Sequence, residues 1–166
     1  PGRLADPECI AEAVLAVLQP KRDLEGETVL VTAGPTQEAL DPVRFLSNRS
    51  SGKMGYAIAE AAARRGARVV LVSGPVSLPE PIGVRVVRVT TAAEMRAAVL
   101  AELEAASIVV KAAAVADYRP REVADHKIKK SGAAMTLELE ATPDILAESG
   151  SRKGSRLVVG FAAETG

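Results

Sequence analysis

A run of serines and glycines precedes an alanine-rich stretch with helical spacing. The run is Ser50 to Gly55. Backbone N–H groups at a helix start attract anions, and the helix dipole adds to that attraction. It is not a Walker A loop, because Ser47 and Met54 replace two required residues, and Gly34 lies too far upstream to complete a dinucleotide fingerprint. The spacing leaves two interpretations open: a phosphate-binding site, or glycines that let a helix pack closely on a strand.

A second group of polar residues lies in the irregular stretch just before this run. It contains Asp41, Arg44 and Asn48. An arginine fork and an asparagine amide above a sheet suit a phosphate or carboxylate substrate. The same side chains are also able to hydrogen-bond to the backbone of their own loop. Spacing alone therefore leaves a substrate role and a bracing role open.

Charged residues also follow the apolar run that ends near position 115. Asp117 comes directly after it and suits a ribose hydroxyl, a Mg²⁺ ion or the capping of a loop. The basic segment, residues 119–131, then carries five cations, at Arg119, Arg121, Lys127, Lys129 and Lys130. Such a segment either closes over a triphosphate and stabilises a leaving pyrophosphate, or is simply solvated.

Repeated apolar runs predict the elements that hold these residues. Continuous runs, typical of buried strands, occupy residues 28–32, 69–73, 84–89, 108–115 and 157–161, and 135–139 alternates like a half-exposed strand. Helical spacing occupies 7–18, 52–66, 91–105 and 143–148, with Thr91 and either Thr142 or Asp144 as N-caps. Residues 36–51 have no clean period, so we expect a long loop. The alternation predicts a Rossmann-like, three-layer α/β domain with a mostly parallel sheet and helices on both faces.

Composition excludes several classes of protein. Lys plus Arg number 21 and Asp plus Glu number 21, so no bulk charge attracts nucleic acid or an acidic membrane surface. One cysteine and one histidine exclude a disulfide framework and a two-histidine zinc site. We expect a cytoplasmic protein that binds neither nucleic acid nor membrane.

Several segments, taken in order, resemble one enzyme family. They are residues 31–36, 41–45, 47–55, 71–76, 112–118, 127–130, 142–145 and 159–165. Their order and spacing are similar to those of the phosphopantothenoylcysteine synthetases, the coenzyme A pathway ligases that are often fused in bacteria to a flavin-dependent decarboxylase. The resemblance implies that residues 1–24 are the tail of a fused decarboxylase domain plus a linker. Residues 25–166 would then be a synthetase domain that is incomplete at its C-terminus.

The resemblance also implies a reaction and its co-substrate. The carboxylate of 4′-phosphopantothenate attacks the α-phosphate of CTP, with Mg²⁺, and gives an acyl-cytidylate and pyrophosphate. The amine of L-cysteine then displaces CMP to form the amide. The family implies a homodimer with its site near the interface, and no FMN is expected in residues 1–166.

The family's functional positions map onto named residues of this chain. The implied catalytic residues are Asn48, which acts on the acyl-cytidylate, Arg44 in the same loop, and Lys127 in the basic segment. Asp117 is the implied metal ligand. The implied nucleotide contacts are Gly34, Ser50, Ser51, Gly52, Lys53, Met54, Gly55, Ser73, Gly74, Lys111, Ala112, Ala113, Ala114, Asp117, Lys127, Pro143, Asp144, Ile145, Leu146 and Phe161. Lys111 departs from the family, which can have a small residue at this position.

Two alternative functions belong to other classes. An NAD(P)-dependent oxidoreductase of similar fold needs a Tyr-x-x-x-Lys pair or an acidic residue after its second strand. Here Glu122 stands four residues after Tyr118, and the second strand ends in Ser73-Gly74-Pro75. A non-catalytic binding module is the other alternative.

Overall fold

A five-stranded parallel sheet forms the centre of the molecule. The computed structural model describes residues 4, 6–18, 21–130, 132 and 134–162. Its elements, in chain order, are α1 (Pro7–Leu18), β1 (Thr28–Ala33), β2 (Gln37–Ala39), β3 (Phe45–Ser47), α2 (Lys53–Arg64), β4 (Arg68–Ser73), β5 (Val84–Arg88), α3 (Ala92–Leu103), β6 (Ile108–Lys111), β7 (Tyr118–Pro120), β8 (Leu139–Ala141), α4 (Ile145–Ser151) and β9 (Leu157–Gly160). The sheet order is β5-β4-β1-β6-β9, and each neighbouring pair is parallel.

Helices cover both faces of this sheet, as the continuous apolar runs predict. Strand β1 is buried at all six positions, because its alternate side chains face different helices. Val31 packs with Tyr56 of α2 on one face. Leu30 packs with Met95 of α3 and Ile145 of α4 on the other face. The three-layer α/β prediction is therefore confirmed.

The predicted helix starts also occur. Thr91 forms a capping box with Glu94, in which the Thr91 hydroxyl accepts the Glu94 N–H at 3.1 Å. Asp144, one of the two candidates for the last helix, accepts the Ala147 N–H at 2.8 Å. These caps fix where α3 and α4 begin relative to the strand ends.

Three local predictions are wrong. Residues 36–51 are not only a loop, because β2 and β3 pair there as an antiparallel hairpin. Strand β6 ends at Lys111 rather than at residue 115, because beyond it the regular ladder with β1 is reduced to an isolated bridge between Pro35 and Ala114, and proline has no N–H to donate. The late half-exposed strand lies at β8 rather than at 135–139, because its pairing with β7 sets its limits. None of these changes alters the layers.

Helix α1 has the predicted bounds. Its apolar residues Ile10, Val14 and Leu18 are exposed rather than packed against the sheet. Among the residues that the structure describes, no helix has the length and hydropathy needed to cross a bilayer.

Candidate active site

The carboxyl ends of the parallel strands bring several loops into very close contact. A Cβ on Gly74 would lie 1.7 Å from the Pro35 carbonyl oxygen. A Cβ on Gly34 or on Gly52 would lie 2.8 Å from Val76 Cγ1. Glycine is required at position 74, where two backbones approach this closely, and the φ values of 76° and 75° favour it at positions 34 and 52. The loops after β1 and β4 and the start of α2 therefore form one tightly packed edge.

Gly55 has a packing role of its own. A Cβ there would lie 2.5 Å from Ala33 Cβ and 2.9 Å from the Thr32 carbonyl oxygen, so α2 sits directly on the end of β1. The close-packing interpretation therefore holds for this glycine. At the same helix start no side chain caps the N–H groups, and Lys53 and Met54 are exposed. An anion-binding helix start thus remains compatible with the packing.

Asp41 ties the hairpin loop to the basic segment. Its carboxylate is fully buried and accepts the Arg44 Nη2–H at 2.6 Å, the Arg44 Nε–H at 3.0 Å and the Ile128 backbone N–H at 3.1 Å. Arg44 Nη2 also donates to the Ile128 carbonyl oxygen at 2.7 Å. We call Asp41, Arg44 and Ile128 the clamp. Lys127, which is exposed, is held next to it by its neighbour in the chain.

The electrostatics of the clamp follow from these contacts. The hydrogen bond from Arg44 holds the pKa of the Asp41 carboxyl well below its usual range, and the backbone N–H groups of Val43, Ile128 and Arg44 add to this effect. The sequence predicts Asp41 as a residue that braces its own loop or binds substrate, but it does not predict the contact with residue 128. The signal was its spacing of three residues from Arg44, which suits an Asx-type turn, but the partner at residue 128 is too distant in sequence to foresee. Asp41 braces its own loop as one of the two interpretations predicted, because its carboxylate accepts the backbone N–H groups of Val43 at 2.8 Å and Arg44 at 2.9 Å.

Asn48 lies over the alanine-rich segment that follows β6. Its Nδ2 donates to the Val115 carbonyl oxygen at 2.9 Å, and the side chain is exposed. The next segment is fixed by Thr142, whose hydroxyl donates to the Ala116 carbonyl oxygen at 2.5 Å and whose N–H donates to the Asp117 carbonyl oxygen at 2.9 Å. The Asn48 amide therefore contacts the chain two residues before Asp117.

Asp117 is the predicted metal ligand and is exposed. No cluster of three or more metal-ligating side chains occurs in the described part of the chain. This donor set fits Mg²⁺ better than a transition metal, because Mg²⁺ is usually held by one or two carboxylates together with substrate phosphates and water.

Ser73 and Gly74 serve the packing of this edge. The Ser73 hydroxyl is buried, lies 3.1 Å from the Tyr56 hydroxyl and donates to the Gly74 carbonyl oxygen at 2.9 Å. Next to them, a cleft of about 440 Å³ is lined by Pro75, Thr90 and Glu94 among others. The predicted contacts at Ser73 and Gly74 therefore lie beside a cleft, with the serine side chain already hydrogen-bonded.

A second group of predicted residues meets where β6, β9 and α4 come together. The Phe161 N–H donates to the Lys111 carbonyl oxygen at 3.1 Å, and a Cβ on Gly160 would lie 2.6 Å from Leu146 Cδ2. Phe161 and Leu146 are 53% and 42% exposed, so two apolar surfaces face solvent beside these strand ends. The segments 111–114, 143–146 and 161 are thus brought to one corner. The last part of the matching segment, 163–165, lies outside the described residues.

Lys111 is the unusual residue of this corner. Its side chain is buried, and its Nζ atom has no hydrogen-bond partner, alone in that respect among the buried side-chain polar atoms of the described residues. Burial lowers the pKa of Lys111 to about 8, although the Asp144 carboxylate acts to raise it. An unpaired cation in such a place is costly for the fold, which makes it a candidate for ligand binding.

Comparison with known proteins settles the family. Residues 24–166 match the model of the DNA/pantothenate metabolism flavoprotein C-terminal domain. The chain belongs to this family. The domain is 55% identical over 168 residues to Coenzyme A biosynthesis bifunctional protein CoaBC of Bacillus subtilis, covering 99% of this chain and 41% of that protein. It is 54% identical over 169 residues to the CoaBC protein of Escherichia coli K12, covering 99% and 42%.

A solved structure agrees with the fold. The crystal structure of the C-terminal domain of a CoaBC protein superimposes with a TM-score of 0.77 at 50% identity, and the match covers 87% of this chain and 68% of that one. This chain spans about two fifths of the length of the curated relatives that it matches.

Proposed function

We propose that this chain is the ligase domain that joins 4′-phosphopantothenate and L-cysteine, with CTP as the co-substrate. The observation that carries the proposal is that residues from distant segments meet at one sheet edge in a member of this family. The names of the relatives place them in coenzyme A biosynthesis. Family membership alone would not assign a reaction, but the assembled side chains suit acyl transfer through a nucleotide.

The first step makes a poor electrophile reactive. A carboxylate oxygen of 4′-phosphopantothenate attacks the α-phosphorus of CTP, a P–O bond forms, and pyrophosphate leaves. The uncapped N–H groups at the start of α2, with Lys53, suit the binding of phosphate. Asp117 would hold Mg²⁺, which supplies charge neutralisation at the phosphates when bound.

The second step forms the amide. The cysteine amine attacks the acyl carbon, the bond from that carbon to the phosphate oxygen breaks, and CMP leaves while the amine loses a proton. Asn48 donates one N–H to the Val115 carbonyl oxygen, and the second N–H of its amide suits the acyl oxygen as negative charge develops on it. Lys127 adds positive charge from the basic segment, and the clamp sets where that segment lies.

Three further features belong to the same proposal. The domain works in the cytoplasm, it is covalently linked to a decarboxylase domain, and it forms a homodimer. Exposed apolar side chains on the hairpin and on the β7–β8 ribbon, such as Phe45, Tyr118 and Leu139, support a protein interface there. Light scattering on the purified protein tests the dimer. A homodimer predicts a molar mass in solution that is twice the mass of one chain.

A coupled assay tests the reaction itself. The protein is incubated with 4′-phosphopantothenate, L-cysteine, Mg²⁺ and either CTP or ATP, and product and CMP are followed by mass spectrometry. The proposal predicts CMP release with CTP that matches amide formation one to one. Omission of cysteine should leave pyrophosphate release without amide. Absence of amide in the complete mixture would contradict the proposal.

A further inference from the structure

Thr36 is a fully buried threonine that joins its own loop to two other segments of the candidate site. It lies in the loop after β1, and its exposed fraction is 0%. Its N–H donates to the Ala114 carbonyl oxygen at 3.4 Å, and its hydroxyl accepts the Ala116 N–H at 3.0 Å. Its carbonyl oxygen accepts the Ser47 hydroxyl at 2.7 Å. Because no part of Thr36 reaches the surface, it acts only through the residues that it holds.

These contacts hold Asn48 at two points. Ser47, which is tied to the Thr36 carbonyl oxygen, immediately precedes Asn48 in the chain. The Asn48 amide donates one N–H to the Val115 carbonyl oxygen at 2.9 Å. That carbonyl and the Ala116 N–H belong to one planar peptide unit, so the Thr36 hydroxyl and the Asn48 amide bind opposite sides of the same peptide. Thr36 therefore fixes both the backbone before Asn48 and the acceptor of its side chain.

An anchored side-chain amide has a second N–H whose direction is set by the first. The two N–H donors of the asparagine amide lie in one plane, so a hydrogen bond made by one of them fixes where the other points. In Asn48 this second donor is the one that suits the acyl oxygen in the proposed amide-forming step. Such a donor has to be held within about 0.5 Å of its productive position. A tilt of the peptide between residues 115 and 116 would therefore turn the donor away from the acyl oxygen.

We propose that Thr36 is a positioning residue for the amide-forming step, in which it orients the Asn48 amide through the peptide between residues 115 and 116. The inference rests on the proposed function and adds a residue that touches neither substrate nor nucleotide. The attack on CTP does not use the Asn48 amide in that proposal, so it does not depend on the Thr36 hydroxyl. Removal of this hydroxyl should slow one half-reaction and leave the other unchanged.

Thr36→Val removes the hydroxyl and keeps the shape of the side chain. The buried Ala116 N–H then loses its acceptor, so the peptide that carries it is no longer fixed. The segment keeps two other anchors. The Ala114 N–H donates to the Gly34 carbonyl oxygen at 2.9 Å. The Thr142 hydroxyl donates to the Ala116 carbonyl oxygen at 2.5 Å. The substitution therefore acts on one peptide rather than on the whole segment.

Single-turnover kinetics with the protein in excess over CTP separate the two half-reactions. Pyrophosphate and amide are followed by rapid quench and mass spectrometry, with 4′-phosphopantothenate, L-cysteine and Mg²⁺ present. For Thr36→Val we expect the rate of amide formation to fall about 3- to 30-fold, as for one misplaced hydrogen bond, while the rate of pyrophosphate formation stays within about twofold of the wild type. Thr36→Ser, which keeps a hydroxyl, should restore the wild-type rate of amide formation.

Two further variants separate positioning from a general loss of stability. Thr28→Val is the matched control, because Thr28 is a buried threonine at the opposite end of β1 whose hydroxyl accepts an Arg68 N–H at 2.9 Å. It should leave both rates unchanged although it also loses a hydrogen bond. Ser47→Ala removes the tie to the Thr36 carbonyl oxygen, so it should slow amide formation alone. Because Ser47 is exposed, this variant tests the inference even where Thr36→Val does not fold.

The results distinguish this inference from the proposed function. Equal slowing of pyrophosphate and amide formation in Thr36→Val, or no slowing of either, overturns the role of Thr36 and leaves the ligase proposal standing. If the wild type forms neither product, the ligase proposal fails, and the NMR signals of the Asn48 side-chain amide still test the positioning. These signals should shift in Thr36→Val and not in Thr28→Val, and an unchanged signal in Thr36→Val overturns the inference.

Discussion

Replacing Lys111 by methionine should make the unliganded protein more stable. The pKa of Lys111 is lowered from its ordinary value of 10.5 to about 8 by burial. Each pKa unit corresponds to about 1.4 kcal/mol between the two protonation states. The folded state therefore carries a cost of about 3 kcal/mol for holding this ammonium at neutral pH. Methionine fills a similar volume without a charge, so the free energy of unfolding at pH 7 should rise by roughly 2–3 kcal/mol.

The sign of the pH dependence is fixed by the same pKa. Below about pH 8 both the folded and the unfolded chain hold the proton, and the full cost is present. Between about pH 8 and 10.5 the unfolded chain keeps the proton while the folded chain has lost it, so wild-type stability rises relative to the variant. The free energies of unfolding of the two proteins should converge as the pH passes 10.5, the pKa of the lysine in the unfolded chain.

Urea unfolding followed by far-UV circular dichroism measures this difference. Wild type, Lys111→Met and the exposed control Lys153→Met are compared without nucleotide at pH 7, 8.5 and 10. The control should stay within about 0.5 kcal/mol of the wild type at each pH. The prediction is contradicted if Lys111→Met is less stable than the wild type at pH 7. It is also contradicted if the difference between their free energies of unfolding does not change with pH.

The remaining predictions concern the clamp, the two acyl-transfer residues and one packed glycine. Asp41→Asn removes the carboxylate that holds Arg44 and the basic segment, so turnover should fall roughly tenfold or more while secondary structure is unchanged; full activity in steady-state kinetics would show that the clamp is dispensable. Asn48→Asp should still release pyrophosphate from CTP but form no amide, and normal product in the mass-spectrometric assay would end its assigned role. Lys127→Gln should lower kcat more than the affinity for CTP, and an unchanged rate would remove Lys127 from the mechanism. Gly55→Ala should destabilise by about 1–3 kcal/mol because its Cβ meets β1, whereas Gly150→Ala, with open space in α4, should be neutral or stabilising; equal urea midpoints would contradict this.

The layers of the fold were predictable because they depend on local pattern. Buried parallel strands read as continuous apolar runs, and β1 and β4 lie within one residue of their predicted limits. The β2–β3 hairpin was missed because its strands have three residues each, too few to show a period. The end of β6 was misplaced because it is decided by the neighbouring chain, where Pro35 reduces the ladder to an isolated bridge with Ala114.

The sequence names candidate site residues, but it does not predict the contacts between them. Asn48 and the segment 112–118 were both named as candidates, and the structure adds that the Asn48 amide donates to the Val115 carbonyl oxygen. The partnership of Asp41 with Ile128 joins residues that are 87 positions apart, and no local pattern contains it. The unpaired state of Lys111 is likewise a property of tertiary packing, since a lysine at the end of an apolar run gives no sign of which neighbours it will lack.

The central claim is that this sheet edge holds the nucleotide of a CTP-dependent ligase. The most direct measurement is a calorimetric titration of the protein with CTP, ATP and NADPH in separate experiments with Mg²⁺ present. The account predicts saturable binding of CTP with one site per chain, and much weaker binding of ATP and NADPH. Tight binding of NADPH without binding of CTP would contradict the account and favour an oxidoreductase of similar fold.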